Sequence, residues 1–277
     1  MSSEWNAEAY HRLSDPQFAW GLRVLARLAL RGDERALDVG CGSGRLTREL
    51  RACLPHGRVV ATDLSENMAR AARETLAVGA AERPVVAVAD AAALPFAGAF
   101  DVVFSTATFH WVTDHPRLFA SLFAALAPGG RLHAQCGGGP NLERLHARAA
   151  QLMREAPFEP YFAAWRTPWE FADAATAAAR LRAAGFTAVE TSLEPAPVTF
   201  DDAGVFREFL ATVVLRLHLQ CLPDAALRGA FLDRLVERAA GERPRYELDY
   251  WRLNLTGTKP VTGSPRLGGA GWRTDVP

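Results

Sequence analysis

The chain has 277 residues, 31 basic against 31 acidic side chains, and a hydrophobic content of 49%. This length allows one large domain or two small ones, with enough chain to bury a sizeable core. The zero net charge gives no electrostatic footprint for nucleic acid, and no stretch is long and apolar enough to cross a bilayer.

The cysteines and the N-terminus indicate a compartment. Four scattered cysteines show no metal-ligand pairing, so we predict reduced thiols and no metal site. The polar N-terminal segment is no signal peptide. These features predict a cytoplasmic protein.

The first segment, residues 4–30, is predicted to be helical. An apolar stripe with helical spacing follows a polar stretch that contains Trp5 and Tyr10. Two interpretations are open, and one segment can satisfy both: a helix that packs on the domain, or a lid over a ligand site.

Residues 36–44 (ALDVGCGSG) join a short apolar run to glycines at alternate positions, Gly40, Gly42 and Gly44. This pattern is typical of a buried parallel strand that enters a loop, and the residues that follow have helical spacing. Glycines at such a turn let the backbone approach a polar ligand closely, because no Cβ intrudes. The dinucleotide fingerprint would place glycine where this chain has Arg45, and the lysine of a phosphate loop is absent.

Two further apolar runs end in an acid. Residues 58–63 (RVVATD) end at Asp63, roughly 20 residues beyond the glycine turn, where a carboxylate meets ribose hydroxyls in dinucleotide sites. A carboxylate suits that role because it can accept two hydrogen bonds from a vicinal diol. Ser65 is predicted to cap the following helix. Residues 84–90 (PVVAVAD) end at Asp90.

The fourth strand is predicted within residues 100–112 (FDVVFSTATFHWV), with Ser105 and Thr106 at its carboxyl end. A helix follows it. Residues 127–130 (APGG) form a stop-and-turn signal before a fifth strand. Strands that alternate with amphipathic helices indicate an α/β fold with a parallel sheet and right-handed connections.

The pattern changes after residue 136. Residues 141–184 and 202–240 are predicted to be helical, residues 186–195 and 250–259 to form the last two strands, and residues 260–277 to be disordered. The first helical stretch carries an aromatic cluster between Phe158 and Phe171. Such a cluster lines a substrate pocket or simply forms core.

Five segments in order carry a family resemblance: LDVGCGSG, VVATDLS, ADAAALPF, FDVVFSTATFHW and LAPGGRL. Together they resemble the class I S-adenosylmethionine-dependent methyltransferases over roughly residues 33–135. The segments FHWV and WNAEAYHRL are similar to the trans-aconitate methyltransferases and to the malonyl-carrier-protein methyltransferases of biotin synthesis. Both groups place the methyl group on a carboxylate oxygen.

The resemblance implies a doubly wound seven-stranded, mostly parallel sheet of order 3-2-1-4-5-7-6 with the seventh strand antiparallel. It implies S-adenosylmethionine as cofactor and S-adenosylhomocysteine as product. The implied units are an N-terminal helical lid (1–32), a cofactor-binding core (33–136), a helical cap with the last two strands (137–259) and a tail (260–277).

The resemblance also implies which residues hold the cofactor. The methionine moiety maps to Asp38, Gly40, Cys41 and Gly42. The ribose maps to Asp63, with Leu64 beside the adenine. The adenine amino group maps to Asp90, with Ala91 beside it. The methionine amine maps to Ser105 and Thr106.

Candidates for the acceptor side follow the fourth strand and lie in the aromatic cluster. His110 either orients a substrate oxygen, acts as a base, or caps a loop as a structural histidine. We expect Tyr10, Trp111 and Trp165 to line the substrate pocket. Arg166 is either a bidentate partner of a substrate carboxylate or a solvated surface arginine.

We therefore predict a methyltransferase that acts on a small-molecule acceptor at a carboxylate or hydroxyl oxygen. A carboxylate acceptor is already ionised at pH 7, which fits a sequence without a convincing catalytic pair or triad. The alternatives are a nicotinamide-dependent oxidoreductase and a protein that binds S-adenosylmethionine without turnover. The zero net charge disfavours a nucleic-acid methyltransferase. The enzymes that methylate adenine or cytosine amino groups carry the motif N/D-P-P-Y/F after the fourth strand, whereas this chain has S-T-A-T there. We expect neither a nucleic-acid nor a membrane partner.

Overall fold

A computed structural model of the chain describes residues 15–78 and 84–261. The strands are β1 (Arg35–Val39), β2 (Arg58–Asp63), β3 (Val85–Val88), β4 (Phe100–Thr106), β5 (Leu126–Gly137), β6 (Thr187–Pro195), β7 (Val198–Thr199), β8 (Glu247–Leu248) and β9 (Trp251–Thr258). The helices are α1 (Asp15–Ala26), α2 (Arg45–Ala52), α3 (Glu66–Ala77), α4 (His115–Ala125), α5 (Glu143–Leu152), α6 (Glu159–Phe162), α7 (Ala174–Ala183), α8 (Ala203–Phe209), α9 (Arg216–Cys221) and α10 (Ala225–Ala240).

Seven strands form one sheet in the order β3-β2-β1-β4-β5-β9-β6. The pairs among β1 to β5 are parallel, whereas β9 pairs antiparallel with both β5 and β6. The sheet order and the antiparallel last strand are therefore confirmed. Four of the five residues of β1 are buried, as expected for a central strand covered on both faces.

Several local predictions hold because the signals are short-range. Ser65 caps α3 by accepting a hydrogen bond from the Met68 amide at 3.3 Å. Asp114 caps α4 through the Arg117 amide at 3.0 Å. The four cysteines are free thiols.

The structure differs from the predicted secondary structure in three places. Strand β5 begins at Leu126, because Phe100 pairs with Leu126 and a register shift follows before Val102 pairs with Arg131. The predicted turn at 127–130 is thus part of the strand. The stretch between α6 and α7 is irregular instead of helical, and a two-residue ribbon of β7 and β8 was not predicted.

The two largest clusters of buried side chains in the described chain are the sheet core and the cap core. The sheet core lies between the sheet and its helices and includes Leu37, Phe119 and Leu132. The cap core joins α1, α5, α6, α8 and α10, and it includes Phe158, Phe206 and Phe231, all fully buried.

The sheet fixes the position of any ligand site. Strand order reverses at β1, which lies between β2 and β4, and open α/β sheets bind ligands at the carboxyl edge of such a switch point. The predicted helix start at residue 4, Tyr10 and the tail beyond residue 261 lie outside the described residues. Within residues 15–78 and 84–261, no helix combines the length and hydropathy needed to span a bilayer.

Candidate active site

The glycine turn follows β1 directly and is held by its neighbours. The amides of Gly40 and Cys41 donate to the Thr62 carbonyl at 2.7 and 2.9 Å. Gly40 has a φ of +73°, and a Cβ there would overlap the Thr108 side chain. The Thr108 hydroxyl donates to the Gly40 carbonyl at 3.2 Å. Glycine is therefore required at this position by both conformation and space.

Asp63 connects the turn to the second strand. Its carboxylate accepts the Gly42 amide at 2.9 Å and the Ser65 amide at 2.9 Å. These bonds fix the carboxylate at the carboxyl end of β2. A Cβ on Gly42 would meet nothing within 4 Å, so this part of the turn borders open space.

Asp38 lies beneath the turn and is buried. Its carboxylate accepts a hydrogen bond from the Thr47 hydroxyl at 2.6 Å. Burial raises the pKa of Asp38 to about 7, and the nearby Asp63 charge acts in the same direction. The side chain therefore exchanges its proton near neutral pH.

A cavity of about 320 Å³ opens above these residues, and we name it the main cavity because it borders the glycine turn. A larger space of about 450 Å³ shares no lining residue with it and lies between residues of α1 and strands β5, β6 and β9. Its wall combines ends of β1, β2 and β4 with residues of the cap. The lining residues are Val39, Gly40, Gly42, Asp63, Leu64, Ser65, Met68, Ala89, Ala91, Thr106, Ala107, Thr108, Trp111, Pro168, Arg216 and Leu217.

Two smaller recesses of about 60 Å³ each adjoin the main cavity. The glycine-side recess is lined by Gln17, Phe18, Asp38, Gly40, Cys41, Gly42, Ser43, Arg45, Leu46, Thr106 and Ala107. The histidine-side recess is lined by Gln17, Ala107, His110, Trp111, Asn141, Leu142, His146, Trp169, Phe171, Val213, Val214, Tyr250 and Arg252.

Ala107 borders all three spaces and has a φ of +54°. A left-handed alanine is strained by about 1–2 kcal/mol, and such residues cluster at functional sites. The Ala107 amide donates to the Gln135 carbonyl at 2.8 Å, which helps to hold this conformation. The three spaces therefore meet at one backbone position beside the glycine turn.

His110 is held as a neutral ring. Its Nδ1 accepts the Gly137 amide at 3.3 Å, so the proton of the neutral imidazole lies on Nε2. Burial lowers the pKa of His110 well below its usual value, with Arg252 and His115 adding to the effect. The pKa of His146, in the same recess, is lowered to about 4 by burial.

The predicted aromatic cluster divides between two places. Its members Trp169 and Phe171 line the histidine-side recess. Trp169 packs edge-on at 6.2 Å to Trp111, which lines both that recess and the main cavity. Phe158 and Phe162 belong to the cap core instead. Trp165 lines neither space and stacks on His218 at 4.3 Å.

The structure does not bring four of the predicted residues to the cavity wall. Arg166 is exposed, and its guanidinium donates to the Trp165 carbonyl at 2.8 Å. The Ser105 hydroxyl is buried and donates to the Val39 carbonyl at 2.7 Å. Asp90 lies between two lining alanines, where it accepts the Ala92 amide at 2.9 Å. Trp165 is the fourth, because it stacks on His218 and lines neither the main cavity nor the histidine-side recess.

Several wall residues were not predicted. The arginine of the apolar run VVLRLHL, Arg216, carried a signal in the sequence, because a charge inside an apolar helix is unusual. Gln17 carried none. Its Oε1 is buried and has no hydrogen-bond partner among the described residues, at the junction of the two recesses. Other unpredicted wall residues include Ala107, Thr108, His146, Pro168, Leu217 and Arg252.

These features fit a nucleoside bound beside an amino-acid group. The open side of Gly42 and the fixed Asp63 carboxylate suit a ribose, and an unsatisfied buried acceptor on Gln17 suits an ammonium donor. No cluster of three metal-binding side chains occurs in the part of the chain that the structure describes.

Comparisons with known proteins agree with this geometry. Residues 36–130 match the methyltransferase domain family. The chain is 30% identical to trans-aconitate 2-methyltransferase of Methylobacterium radiotolerans over 87% of this chain and 91% of that protein. It is 38% identical to malonyl-acyl-carrier-protein O-methyltransferase of Geobacter sulfurreducens over 49% of this chain and 51% of that protein.

A solved structure shows the same fold at lower identity. Phosphoethanolamine N-methyltransferase 2 of Haemonchus contortus, in complex with phosphomonomethylethanolamine and S-adenosylhomocysteine, superposes with a TM-score of 0.59 and 19% identity. The match covers 92% of this chain and 57% of that one. The chain is an enzyme that belongs to the class I S-adenosylmethionine-dependent methyltransferases, and S-adenosylmethionine is its cofactor.

Proposed function

We propose that the enzyme methylates a carboxylate oxygen of a small organic acid and releases a methyl ester. We place the acceptor where the main cavity meets the histidine-side recess, and the observation that carries this proposal is the lowered pKa of the two histidines in that recess. Both His110 and His146 have lowered pKa values and are weak bases at pH 7. A carboxylate is already ionised at that pH and needs no base, whereas a hydroxyl does.

The names of two relatives support the same chemistry. One is a trans-aconitate methyltransferase, and the other is a malonyl-acyl-carrier-protein O-methyltransferase. Both names specify an acid as the acceptor. An apolar wall of Trp111, Pro168 and Leu217 would also keep water from the reacting carboxylate.

The cofactor residues have separate roles in this proposal. S-adenosylmethionine supplies an electrophilic methyl group and its own neutral leaving group. Asp63 accepts the ribose hydroxyls while it keeps its two backbone bonds, because a carboxylate offers about four lone-pair sites. Gly40, Gly42 and Thr106 shape the floor of the main cavity, and Gln17 accepts from the methionine amine.

His110 orients the acceptor instead of removing a proton. With Nδ1 bonded to Gly137, the Nε2–H group is the part of the ring that can donate to an acceptor oxygen. A neutral donor holds a carboxylate without neutralising it. The nucleophilic oxygen thereby stays available for in-line attack.

The test is a product assay with methyl-labelled S-adenosylmethionine and pairs of acceptors of matched carbon skeleton. Each pair contains one carboxylic acid and the corresponding alcohol, and trans-aconitate is included. We expect labelled product only with acids, and we expect alkali to release the label as methanol. Stable ethers as the main products would contradict the proposal.

A variant separates the two roles of His110. We expect His110→Gln, which keeps a hydrogen-bond donor, to lower kcat less than about tenfold and to leave the pH-rate profile flat near neutrality. Loss of a general base would lower kcat by roughly 10²–10⁴ and remove a limb of the profile. Either of those results would assign base catalysis to His110.

A further inference from the structure

The loop that follows β4 joins the glycine turn to the wall of the histidine-side recess. This β4 loop, residues 107–111, begins at the strained Ala107 and continues through Thr108 into a short 3₁₀ turn. Its members His110 and Trp111 line the recess, whereas Thr108 lines the main cavity. The function proposed above gives no role to Thr108 or to the strain at Ala107.

Thr108 occupies the space that a side chain at residue 40 would need. A Cβ on Gly40 would overlap both the hydroxyl and the methyl group of Thr108. The hydroxyl lies 3.2 Å from the Gly40 carbonyl oxygen and 2.9 Å from the Thr106 carbonyl oxygen. Its one proton can be shared between these two acceptors. Thr108 therefore ties the β4 loop to the glycine turn through shape and hydrogen bonding.

Backbone hydrogen bonds link Thr108 to the residues proposed to meet the acceptor. The Thr108 carbonyl accepts the Trp111 amide at 2.9 Å, and the His110 carbonyl accepts the Glu170 amide at 2.9 Å. The Phe109 side chain is 1% exposed and belongs to the sheet core, so the middle of the loop is anchored. A shift of Thr108 would therefore move the backbone that holds the indole and the imidazole.

The strain at Ala107 means that the loop has a reason to leave its observed conformation. Its φ of +54° lies in the left-handed region, and such strain persists only where the surroundings over-determine the backbone. The Thr108 hydroxyl supplies one restraint, and the bond from the Ala107 amide to the Gln135 carbonyl supplies another. Gly40, Ala107 and Thr108 all line the main cavity, so a ligand bound there packs against the loop in its strained conformation.

We propose that Thr108 is a positioning residue that couples cofactor binding to the acceptor wall. A cofactor above Gly40 holds the β4 loop in its strained conformation through Thr108, and this keeps His110 and Trp111 in place for the acceptor. The strained and relaxed loops are the two states between which the cofactor selects. This inference goes beyond the proposed function, because it does not depend on which atom accepts the methyl group.

The test is amide hydrogen exchange in the β4 loop with and without saturating S-adenosylhomocysteine. The reporters are the amide of Trp111 and that of Val112, which donates to the Phe109 carbonyl at 3.0 Å. In the wild type, the ligand should slow their exchange by about 5–150-fold, the usual range for coupling between two sites. Thr108→Val keeps the shape but loses the hydroxyl, and it should reduce this slowing by about 2–13-fold, the effect of one lost hydrogen bond.

Two further variants make the result specific. Thr108→Ser keeps the hydroxyl and should retain most of the slowing. Thr191→Val is the matched control, because the Thr191 hydroxyl donates to the Ala174 carbonyl at 2.8 Å and lies outside the main cavity and both recesses. It should show the full slowing. Calorimetric titration sets the saturating concentration for each protein, so differences in affinity do not enter the comparison.

The outcomes decide the role of Thr108 without testing carboxylate methylation. If S-adenosylhomocysteine does not slow the two amides in the wild type, or slows them equally in Thr108→Val, the coupling is refuted. An equal loss of slowing in Thr191→Val would show a general effect of stability and would also refute it. If Thr108→Val does not fold, Thr108→Ala takes its place, with the same expected loss of slowing. A folded variant that no longer binds S-adenosylhomocysteine would assign Thr108 to cofactor binding itself and overturn the proposal.

Discussion

The sheet side and the cap side of the main cavity differ in how their residues are brought together. On the sheet side, Gly40, Asp63 and Thr106 each lie at or beside the end of a parallel strand. On the cap side, Trp111, Pro168 and Arg216 come from a short turn, an irregular stretch and the start of a short helix. The first arrangement follows from strand order alone, whereas the second depends on how the cap packs.

In the function proposed above, this difference separates cofactor binding from acceptor choice. The proposed cofactor residues belong to backbone turns that few side chains can alter. The proposed acceptor residues are side chains whose direction is set by the cap core. Each prediction below tests one side of the cavity, and the largest expected effect comes first.

The largest effect is expected at Gly40 on the sheet side. Gly40→Ala adds a left-handed alanine and an overlap with Thr108, so we expect a loss of about 3 kcal/mol in the free energy of unfolding. Binding of S-adenosylhomocysteine should also be lost. Urea denaturation and calorimetric titration measure the two quantities.

Two other glycines are matched controls for this experiment. Gly98 has a φ of +60° and nothing within 4 Å of a Cβ, so Gly98→Ala should show only the conformational effect of about 1–2 kcal/mol. Gly42→Ala should resemble it in stability but lose cofactor affinity, because its Cβ would enter the main cavity. Equal cofactor affinity in Gly42→Ala and Gly98→Ala would place the cofactor elsewhere.

The next prediction concerns the effect of Asp63, at the end of β2, on the affinity for S-adenosylhomocysteine. Asp63→Ala should weaken S-adenosylhomocysteine binding by about 1–3 kcal/mol, because the ribose hydroxyls lose a charged acceptor. Asp90→Ala is the comparison, since Asp90 lies outside the lining residues and bonds to the Ala92 amide. A larger loss of affinity in Asp90→Ala would reverse the assignment.

The third prediction concerns the stability of the cap at acid pH, which depends on His218. Burial lowers the pKa of His218 to about 3, far below its value in the unfolded chain, so its contribution to stability is present above about pH 6.5 and is lost as the pH falls. Between about pH 6.5 and 4.5, the wild type should lose about 2 kcal/mol that His218→Phe retains. An exposed histidine, His56, gives the matched substitution His56→Phe.

Urea denaturation at the two pH values gives the comparison for His218. The Nδ1 atom of His218 is buried without a hydrogen-bond partner in the described chain, so phenylalanine removes an unsatisfied polar atom. A pH dependence that is identical in wild type and His218→Phe would contradict the lowered pKa.

The smallest expected effect is a loss of stability as the pH rises, the opposite direction to the effect of His218. It tests Asp38, which lies beneath the glycine turn. The pKa of Asp38 is raised to about 7, so the folded state holds a proton that the unfolded state has released, and stability falls as the pH rises through 7. Between about pH 6 and 8, the wild type should lose about 1.4 kcal/mol relative to Asp38→Asn. Parallel stability curves for the two proteins would refute the raised pKa.

The sequence predicted the sheet side well because its signals are local. The run RVVATD matches β2 from Arg58 to Asp63, and Ser65 caps α3 as expected. Ligand-facing residues follow from the ends of such strands. Ser105 is an exception that side-chain alternation explains, since its neighbour Thr106 faces the cavity while Ser105 bonds to β1.

The cap side was predicted less well because its geometry is not local. Arg166 and Arg216 both lie among apolar residues in the sequence, yet the irregular stretch after α6 exposes the first and the π-helical turn Leu210–Val214 brings the second to the cavity. Two-residue strands such as β7 and β8 leave no periodic signal. The resemblance to known methyltransferases, not residue spacing, supplied the position of β9.

The central position of β9 has a consequence for biosynthesis. The wall of the histidine-side recess contains Gln17 together with Tyr250 and Arg252. Gln17 is synthesised early, whereas Tyr250 and Arg252 are synthesised more than 200 residues later. Until β9 is added between β5 and β6, the nascent chain contains the glycine turn but not this wall. Pairings over such long sequence separations form late. A nascent chain therefore completes the glycine turn before it completes the wall of the histidine-side recess.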